Sequence, residues 1–346
     1  MRAVLITEFG TPPELTRTSD PACPPDGVVV AVEATGLCRS DWHGWMGHDD
    51  GIELPHVPGH ELAGTVAEVG SSVTRWEIGD RVTAPFVLAC GRCRTCARGD
   101  GQVCEDQLQP GFTQWGSFAE LVALPRADVN LVRVPDEVTA DVAAGLGCRF
   151  ATAYRAVAHV ARVRAGETVV VHGCGGVGLS AVLVAGGLGA RVLALDPDPS
   201  SLALAERLGA LPVAYDDAPA TIADLTHGGA DVSLDAFGSR ATLAASVAVL
   251  RPRGRHVQVG LLVGPDAAPP VDMGRVLGQE LQLLGSHGMP AADYPEMLAR
   301  VADGSLDPGR LLRDRIGLAE AGPRLAALGQ PGAGAGGMTV IRPDLG

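Results

Sequence analysis

The chain has 346 residues, 46% of them hydrophobic, which predicts two buried cores rather than one. Its 27 basic residues stand against 40 acidic ones, and a formal charge of -13 repels phosphate backbones and anionic surfaces, so no nucleic-acid partner is expected. No apolar run approaches the roughly 20 residues that span a bilayer, and the opening Met1-Arg2-Ala3-Val4-Leu5-Ile6-Thr7-Glu8 reads as a strand rather than a signal peptide, so no membrane partner and a cytoplasmic location are expected. In that compartment the eight cysteines are expected to bind metal rather than to pair.

Residues 1–135 read as short strands punctuated by proline and glycine, at 3–8, 28–34, 61–69, 81–84 and 118–124. That spacing predicts an all-β, barrel-like unit. The strand at 28–34 feeds Gly36-Leu37-Cys38-Arg39-Ser40-Asp41-Trp42-His43, which packs a soft metal ligand, a cation, a hydroxyl, a carboxylate and an imidazole into six residues. Alone, such a stretch reads as a solvated loop with an incidental cysteine. A second stretch, His56-Val57-Pro58-Gly59-His60-Glu61, sets an imidazole and a carboxylate at the mouth of the next strand. His60 alone reads as a surface histidine; beside Cys38 it becomes a candidate ligand. The connection between these stretches carries His48, Asp49 and Asp50, a variable or substrate-facing loop.

Cys90-Gly91-Arg92-Cys93-Arg94-Thr95-Cys96 follows, with Cys104 eight positions on. Four thiolates at this spacing wrap one ion tetrahedrally, and all-sulfur ligation selects zinc or an iron–sulfur centre. With no fifth donor in reach, the pattern predicts a closed structural zinc lobe. A nucleic-acid-binding zinc ribbon draws slight support from Arg92, Arg94 and Arg98 and is opposed by the overall acidity.

From Val138 the period becomes helical, over 138–146 and 150–163, with Gly147-Cys148-Arg149-Phe150 between. Cys148 is either a small core residue or a third ligand beside Cys38 and His60. The strand 168–172 then runs into Gly173-Cys174-Gly175-Gly176-Val177-Gly178 and a helix to about 187. A strand at 191–195 ends at Asp196, 18 residues past Gly178. This G-x-G-x-x-G has the required context: a strand before, a helix after and an acid closing the next strand. Its glycines admit a pyrophosphate to a helix N-terminus, and Asp196 can hold the ribose hydroxyls. Strands at 211–215, 231–236, 255–260 and 280–284, with helices between them, complete a doubly wound domain of six strands. Beyond Gly285 a helix at 293–302, a strand at 311–316, a helix at 319–328 and a strand at 338–342 are expected to rejoin the first unit. Pro331-Gly332-Ala333-Gly334-Ala335-Gly336-Gly337 reads as a flexible loop.

The five motifs at 36–43, 59–64, 90–104, 147–152 and 173–178, in this order, resemble those of zinc-dependent medium-chain alcohol dehydrogenases, and the likeness covers nearly the whole chain. The resemblance implies an α/β protein with a GroES-like β-barrel-type catalytic domain (1–150 and 286–346, carrying the zinc lobe at 90–104) and a Rossmann domain binding NAD (151–285). It implies two Zn2+ ions per chain. The catalytic one would be held by Cys38, His60 and Cys148 with Glu61 beside it, and the structural one by Cys90, Cys93, Cys96 and Cys104. Asp41 would orient His60, Arg39 would touch the cofactor pyrophosphate, and Thr152 would lie near the nicotinamide. Gly173, Gly175, Gly176, Val177, Gly178 and Asp196 would cradle the dinucleotide. Ser40 and His43 would relay a proton, and Trp42, Phe86 and Trp115 would wall the substrate, although Trp115 reads equally well as ordinary core.

A cofactor-contacting basic residue common in the last strand of relatives has no counterpart in Gly337-Met338-Thr339-Val340. The implied reaction is the reversible NAD-dependent oxidation of a small-molecule alcohol to an aldehyde or ketone, in a homodimer or homotetramer. A polyol, sugar or cyclitol dehydrogenase uses the same chemistry. A non-catalytic zinc- and dinucleotide-binding protein is disfavoured by the retention of every ligand type together with Ser40 and His43.

Overall fold

Valines at alternate positions make Val28–Leu37 a ten-residue strand. Val28, Val30 and Val32 enter one core with Leu62, Val66, Val82, Val122 and Leu124. The computed structural model describes residues 1–215, 218–330 and 337–345. Of the stretch 331–337, read from sequence as a flexible loop, all but Gly337 lies outside the described residues.

Val28–Leu37 pairs antiparallel with Leu62–Val69, with Leu121–Leu124 and with Met338–Ile341. Arg81–Thr83 and Val132–Arg133 extend this sheet on one side and Leu312–Ile316 on the other, giving seven strands. The last strand of the chain therefore lies beside the strand that leads to Cys38, with Thr339 opposite Leu37. Two short strands escaped the sequence reading: Val132–Arg133, and Glu14–Arg17, which pairs with Arg2–Leu5. The unit expected to be all-β also carries a helix, Arg39–Trp45.

The second sheet has six strands, in the order Leu211–Pro212, Arg191–Leu195, Thr168–His172, Ala230–Asp235, Leu250–Gln258 and Gln282–Gly285. All five pairings are parallel. Numbered along the chain the order is 3-2-1-4-5-6, and it places the crevice where the order reverses, at the carboxyl ends of Thr168–His172 and Ala230–Asp235. This is the doubly wound sheet expected from the alternating pattern. Its near-continuous apolar strands, with Val169, Val170, Val171, Leu193, Ala194 and Leu195 all buried, follow from cover on both faces.

One expectation fails between the two sheets. The helices read at 138–146 and 150–163 are not separated by a break at Gly147. Ala140–Gly145 passes through a wider π turn, Leu146–Phe150, into Ala151–Tyr154 and a second π turn, Arg155–Val160. The extra residue per turn keeps the chain helical while re-aiming Cys148, a distortion that helices concentrate at functional sites. A large shared core, from Leu146, Phe150 and Tyr154 through Leu179 and Val182 to Tyr294 and Met297, joins this segment to the parallel sheet.

Candidate active site and metal centres

Cys38 stands at the seam between Leu37 and the helix Arg39–Trp45 and keeps extended backbone, with φ -115 and ψ 155. Its N–H donates to Asp41 Oδ2 (2.9 Å), and Gly59 N–H donates to Asp41 Oδ1 (3.1 Å). The same oxygen meets His60 Nδ1 at 2.8 Å. One buried carboxylate thus ties two distant stretches together. It also makes Nδ1 the protonated nitrogen of His60 and leaves the Nε2 lone pair free. Nε2 is buried and has no hydrogen-bond partner.

Cys148 completes the arrangement from the π turn. Tyr294 Oη donates to the Leu146 and Gly147 carbonyls (3.1 and 3.3 Å) and Phe86 N–H to the Gly147 carbonyl (3.1 Å), which pins the turn. One donor atom each from Cys38, His60, Glu61 and Cys148 falls within 4.8 Å of all the others. A hydrogen bond from Cys148 holds the Cys38 thiol well below its usual pKa, and the same contact together with burial pushes Cys148 well above. Two soft sulfurs, an imidazole with an unengaged lone pair and a carboxylate form a donor set that suits zinc. Glu61 is fully buried and faces Arg149, whose backbone N–H (2.9 Å), Nε (3.0 and 3.1 Å) and Nη2 all donate to it.

Ser40 Oγ lies 3.8 Å from Cys38 Sγ. His43 turns its Nδ1 to His48 Nδ1 at 3.0 Å, and among the described residues no hydrogen bond joins Ser40 to His43. Burial first, then His48 and Arg39, lower the pKa of His43. Arg39 stacks 4.9 Å over Trp42 and donates to the Leu328 carbonyl. Trp42 meets both histidines edge-on, with ring centroids 5.0 and 5.7 Å away. Phe86 reaches the metal-ligand side, 6.3 Å from the His60 ring. Trp115 does not: its indole N–H donates to the Pro55 carbonyl (3.0 Å) and the ring lines a separate cleft with Met1, Pro21 and Pro24. Two rings beside the cluster escaped the sequence reading. Phe112 lies 5.2 Å from His60, and His287 lies 5.2 Å from Phe86. Neither sits in a motif, and only the folded chain brings them here.

The glycine loop follows Thr168–His172 and opens the helix Gly176–Gly187. Gly173 has φ +89, and a Cβ on Gly178 would lie 1.8 Å from the Gly173 carbonyl oxygen, so neither position accepts another residue without strain. A Cβ on Gly175 would meet nothing within 4 Å, which leaves open space for a ligand beside the helix N-terminus. Val177 is partly buried against the shared core. Asp196 accepts from the Cys174 and Asp198 amides (2.6 and 2.8 Å) and so faces the loop. Cys174 itself is core, as its small size allows. Thr152 is buried one turn after Cys148.

The four-cysteine lobe is built from one local segment. Sγ–Sγ distances are 3.4 Å for Cys93–Cys96, 3.8 Å for Cys93–Cys104 and 3.9 Å for Cys90–Cys96. Tetrahedral Zn–S bonds of about 2.3 Å place sulfurs about 3.8 Å apart, so the lobe fits that ion. Backbone N–H groups of Arg92, Cys96 and Cys90 donate to the sulfurs of Cys90, Cys93 and Cys104 (3.5, 3.4 and 3.3 Å). The Cys96 amide is the main cause that brings the Cys93 thiol down to about 6, while burial pushes Cys96 up to about 12.

Comparison with known proteins agrees with this geometry. Residues 24–136 match the alcohol dehydrogenase GroES-like domain and residues 176–303 the zinc-binding dehydrogenase domain. The chain is 30% identical to an L-threonine 3-dehydrogenase of Sinorhizobium medicae (strain WSM419) over 95% of each protein. It is 36% identical to an alcohol dehydrogenase of Rhizobium meliloti (strain 1021) over 79% of this chain and 80% of the relative. Among solved structures, the alcohol dehydrogenase TADH from Thermus sp. ATN1 superposes with a TM-score of 0.91 at 30% identity, covering 99% of both chains.

Proposed function

The chain belongs to the zinc-dependent medium-chain dehydrogenase/reductase family, and from that premise we propose a division of labour among its residues. It is a zinc- and NAD-dependent oxidoreductase that interconverts an alcohol and its aldehyde or ketone. Cys38, His60 and Cys148 hold the catalytic zinc, with Glu61 beside it; Cys90, Cys93, Cys96 and Cys104 hold the structural one. When bound, the catalytic zinc supplies Lewis acidity toward the substrate oxygen and the nicotinamide accepts or returns a hydride. The single observation that carries this assignment is the buried, unpartnered Nε2 of His60, oriented by Asp41 into two cysteine sulfurs.

Ser40, beside Cys38, accepts the hydroxyl proton of the substrate at Oγ as it donates its own onward, and His43, at the solvent end and not in direct contact with Ser40, releases the relayed proton to solvent. Phe86 and Phe112 wall the substrate and exclude water. Of the two cations in the ligand-bearing stretches, Arg149 is committed to Glu61 and Arg39 is reserved for the cofactor pyrophosphate, so neither is left for a substrate carboxylate. That argues against an amino-acid carboxylate, and the Phe86 and Phe112 rings beside His60 favour an apolar alcohol. Gly173, Gly175, Gly176, Val177 and Gly178 receive the pyrophosphate with Arg39, Thr152 lies on the nicotinamide side, and Asp196 takes the adenosine ribose and selects NAD over NADP by repelling a 2′-phosphate.

We assign residues 1–150 and 286–346 to the catalytic domain and 151–285 to the NAD-binding one. The pairing of Met338–Ile341 with Val28–Leu37 supports that division. Exposed Leu261, Val263, Met273 and Leu277 fall in the connection between the last two strands of the parallel sheet, Leu250–Gln258 and Gln282–Gly285, and support a homodimer or homotetramer. No helix among the described residues is long and apolar enough to cross a membrane, and we place the protein in the cytoplasm. NADH formation across a panel of primary, secondary, aromatic and polyhydroxy alcohols and L-threonine tests the substrate reading. Apolar alcohols should give the highest kcat/KM; a preference for L-threonine or a polyol would overturn it.

A further inference from the structure

Glu61 has two claimants. One of its oxygens lies within 4.8 Å of the donor atoms of Cys38, His60 and Cys148. Both of its oxygens are nonetheless engaged by Arg149, through the backbone N–H and Nε to Oε1 and through Nε and Nη2 to Oε2. Two thiolates and a neutral imidazole already match the charge of a divalent cation and leave a fourth position for substrate. A carboxylate in that position would close the site. We propose that Arg149 is a positioning residue: it keeps the Glu61 carboxylate on itself and thereby keeps one coordination position of the buried cluster open to the alcohol oxygen. This rests on the assignment of that cluster as the catalytic zinc site.

The chain is shaped around the pair. A Cβ on Gly36 would lie 2.1 Å from Glu61 Oε2 and 2.8 Å from Arg149 Nη2, and one on Gly176 would lie 2.3 Å from Arg149 Cδ. Neither glycine has a positive φ, so a side chain at either position would crowd the ion pair rather than strain the backbone. Arg149 directly follows Cys148, so its backbone N–H reaches Glu61 from the same π turn that aims the ligand. The planar guanidinium fork matches a carboxylate in a way that an ammonium does not. A buried carboxylate deprived of this partner is left facing the metal cation, because leaving it unpaired is costly.

The test uses the zinc-loaded enzyme as wild type, as Arg149→Gln and as Glu61→Gln/Arg149→Gln. Turnover is read by NADH formation, and the release of zinc from the buried site by a chelator-coupled dye. Arg149→Gln should slow turnover about 10- to 100-fold while zinc leaves the buried site more slowly than in wild type. The double variant should regain about tenfold in turnover over Arg149→Gln and lose the added retention. A purely structural ion pair predicts neither the slower release nor the rescue. Faster zinc release from Arg149→Gln, or a double variant no more active than the single one, would overturn the proposal. Should Arg149→Gln not fold, the double variant decides: measurable turnover with wild-type zinc release supports the proposal, and a zinc-loaded but inactive protein rejects it. Unchanged zinc content in Cys38→Ala would instead reject the metal assignment beneath it.

Discussion

The lobe holding Cys90, Cys93, Cys96 and Cys104 and the cluster around Cys38 use the same soft donor in opposite surroundings. The lobe draws four sulfurs from one loop, three of its four cysteines are only half-buried, and its stabilising contacts are the loop's own backbone N–H groups. The other cluster draws donors from three stretches far apart in sequence, buries Cys38, His60 and Glu61, and replaces backbone amides with Asp41 and Arg149. A local, all-sulfur set closes on its ion and serves the fold. A set assembled by tertiary structure, with one imidazole and a carboxylate held aside, has a position left for chemistry. The difference turns on what holds the donors, since the sulfur itself is common to both.

The largest effect should come from removing one sulfur on each side. Cys38→Ala should abolish NADH formation with little change in melting temperature, whereas Cys93→Ala should lower the melting temperature or solubility, because structural zinc contributes folding free energy directly. Equal melting temperatures for Cys93→Ala and wild type would break the comparison. The next effect concerns the carboxylate beside each cluster. Asp41→Asn swaps the oxygen that orients His60 and should cost about 10- to 100-fold in turnover or zinc affinity. Asp106→Asn, which loses only exposed contacts to Arg92 and Arg126 near the lobe, should cost far less. Similar losses for the two would show that donor support does not distinguish the sites.

Two buried histidines sharpen the point further. His60 has Asp41 as a hydrogen-bond partner at Nδ1, while His172, at the end of Thr168–His172, has both ring nitrogens buried without a partner. Burial lowers the pKa of His172 to about 4, with His256 adding to the effect and Asp235 opposing it. The unfolded chain takes up this proton near pH 6.5 and the folded chain only near pH 4, so the unfolded state binds more protons between those values. Stability therefore falls as pH drops through that window, by about 3 kcal/mol for this group. His172→Leu should flatten that part of the urea-midpoint profile between pH 7 and pH 5. A parallel profile in the variant would contradict it.

Much of this was legible in the chain, and unevenly so. The four lobe cysteines and the glycine loop are local patterns, and the structure realises both where the spacing put them. Cys38, His60 and Cys148 are far apart in sequence; their residue types offer them together as candidate ligands, with Cys148 equally a small core residue, and the family resemblance implies the full set. The sequence reading sets Gly147-Cys148-Arg149-Phe150 between two helices, whereas the folded chain stays helical through a π turn whose carbonyls Tyr294 and Phe86 hold from outside the helix. Phe112, His287 and the Arg149–Glu61 pair carry no local signal at all, since each is defined by a partner distant in the chain. Trp115 shows the converse. Its aromatic type fitted a pocket wall, but its hydrogen bond to Pro55 turns it to another cleft.

The central claim is that the two clusters hold separate ions for separate purposes. Elemental analysis of zinc per chain in wild type, Cys38→Ala and Cys93→Ala, read beside thermal melting and turnover of the same preparations, tests it most directly. The account predicts two zinc ions in wild type and one in each variant, with turnover lost but melting kept in Cys38→Ala, and melting lowered in Cys93→Ala. A single zinc in wild type, or a Cys38→Ala protein that keeps two, would contradict it.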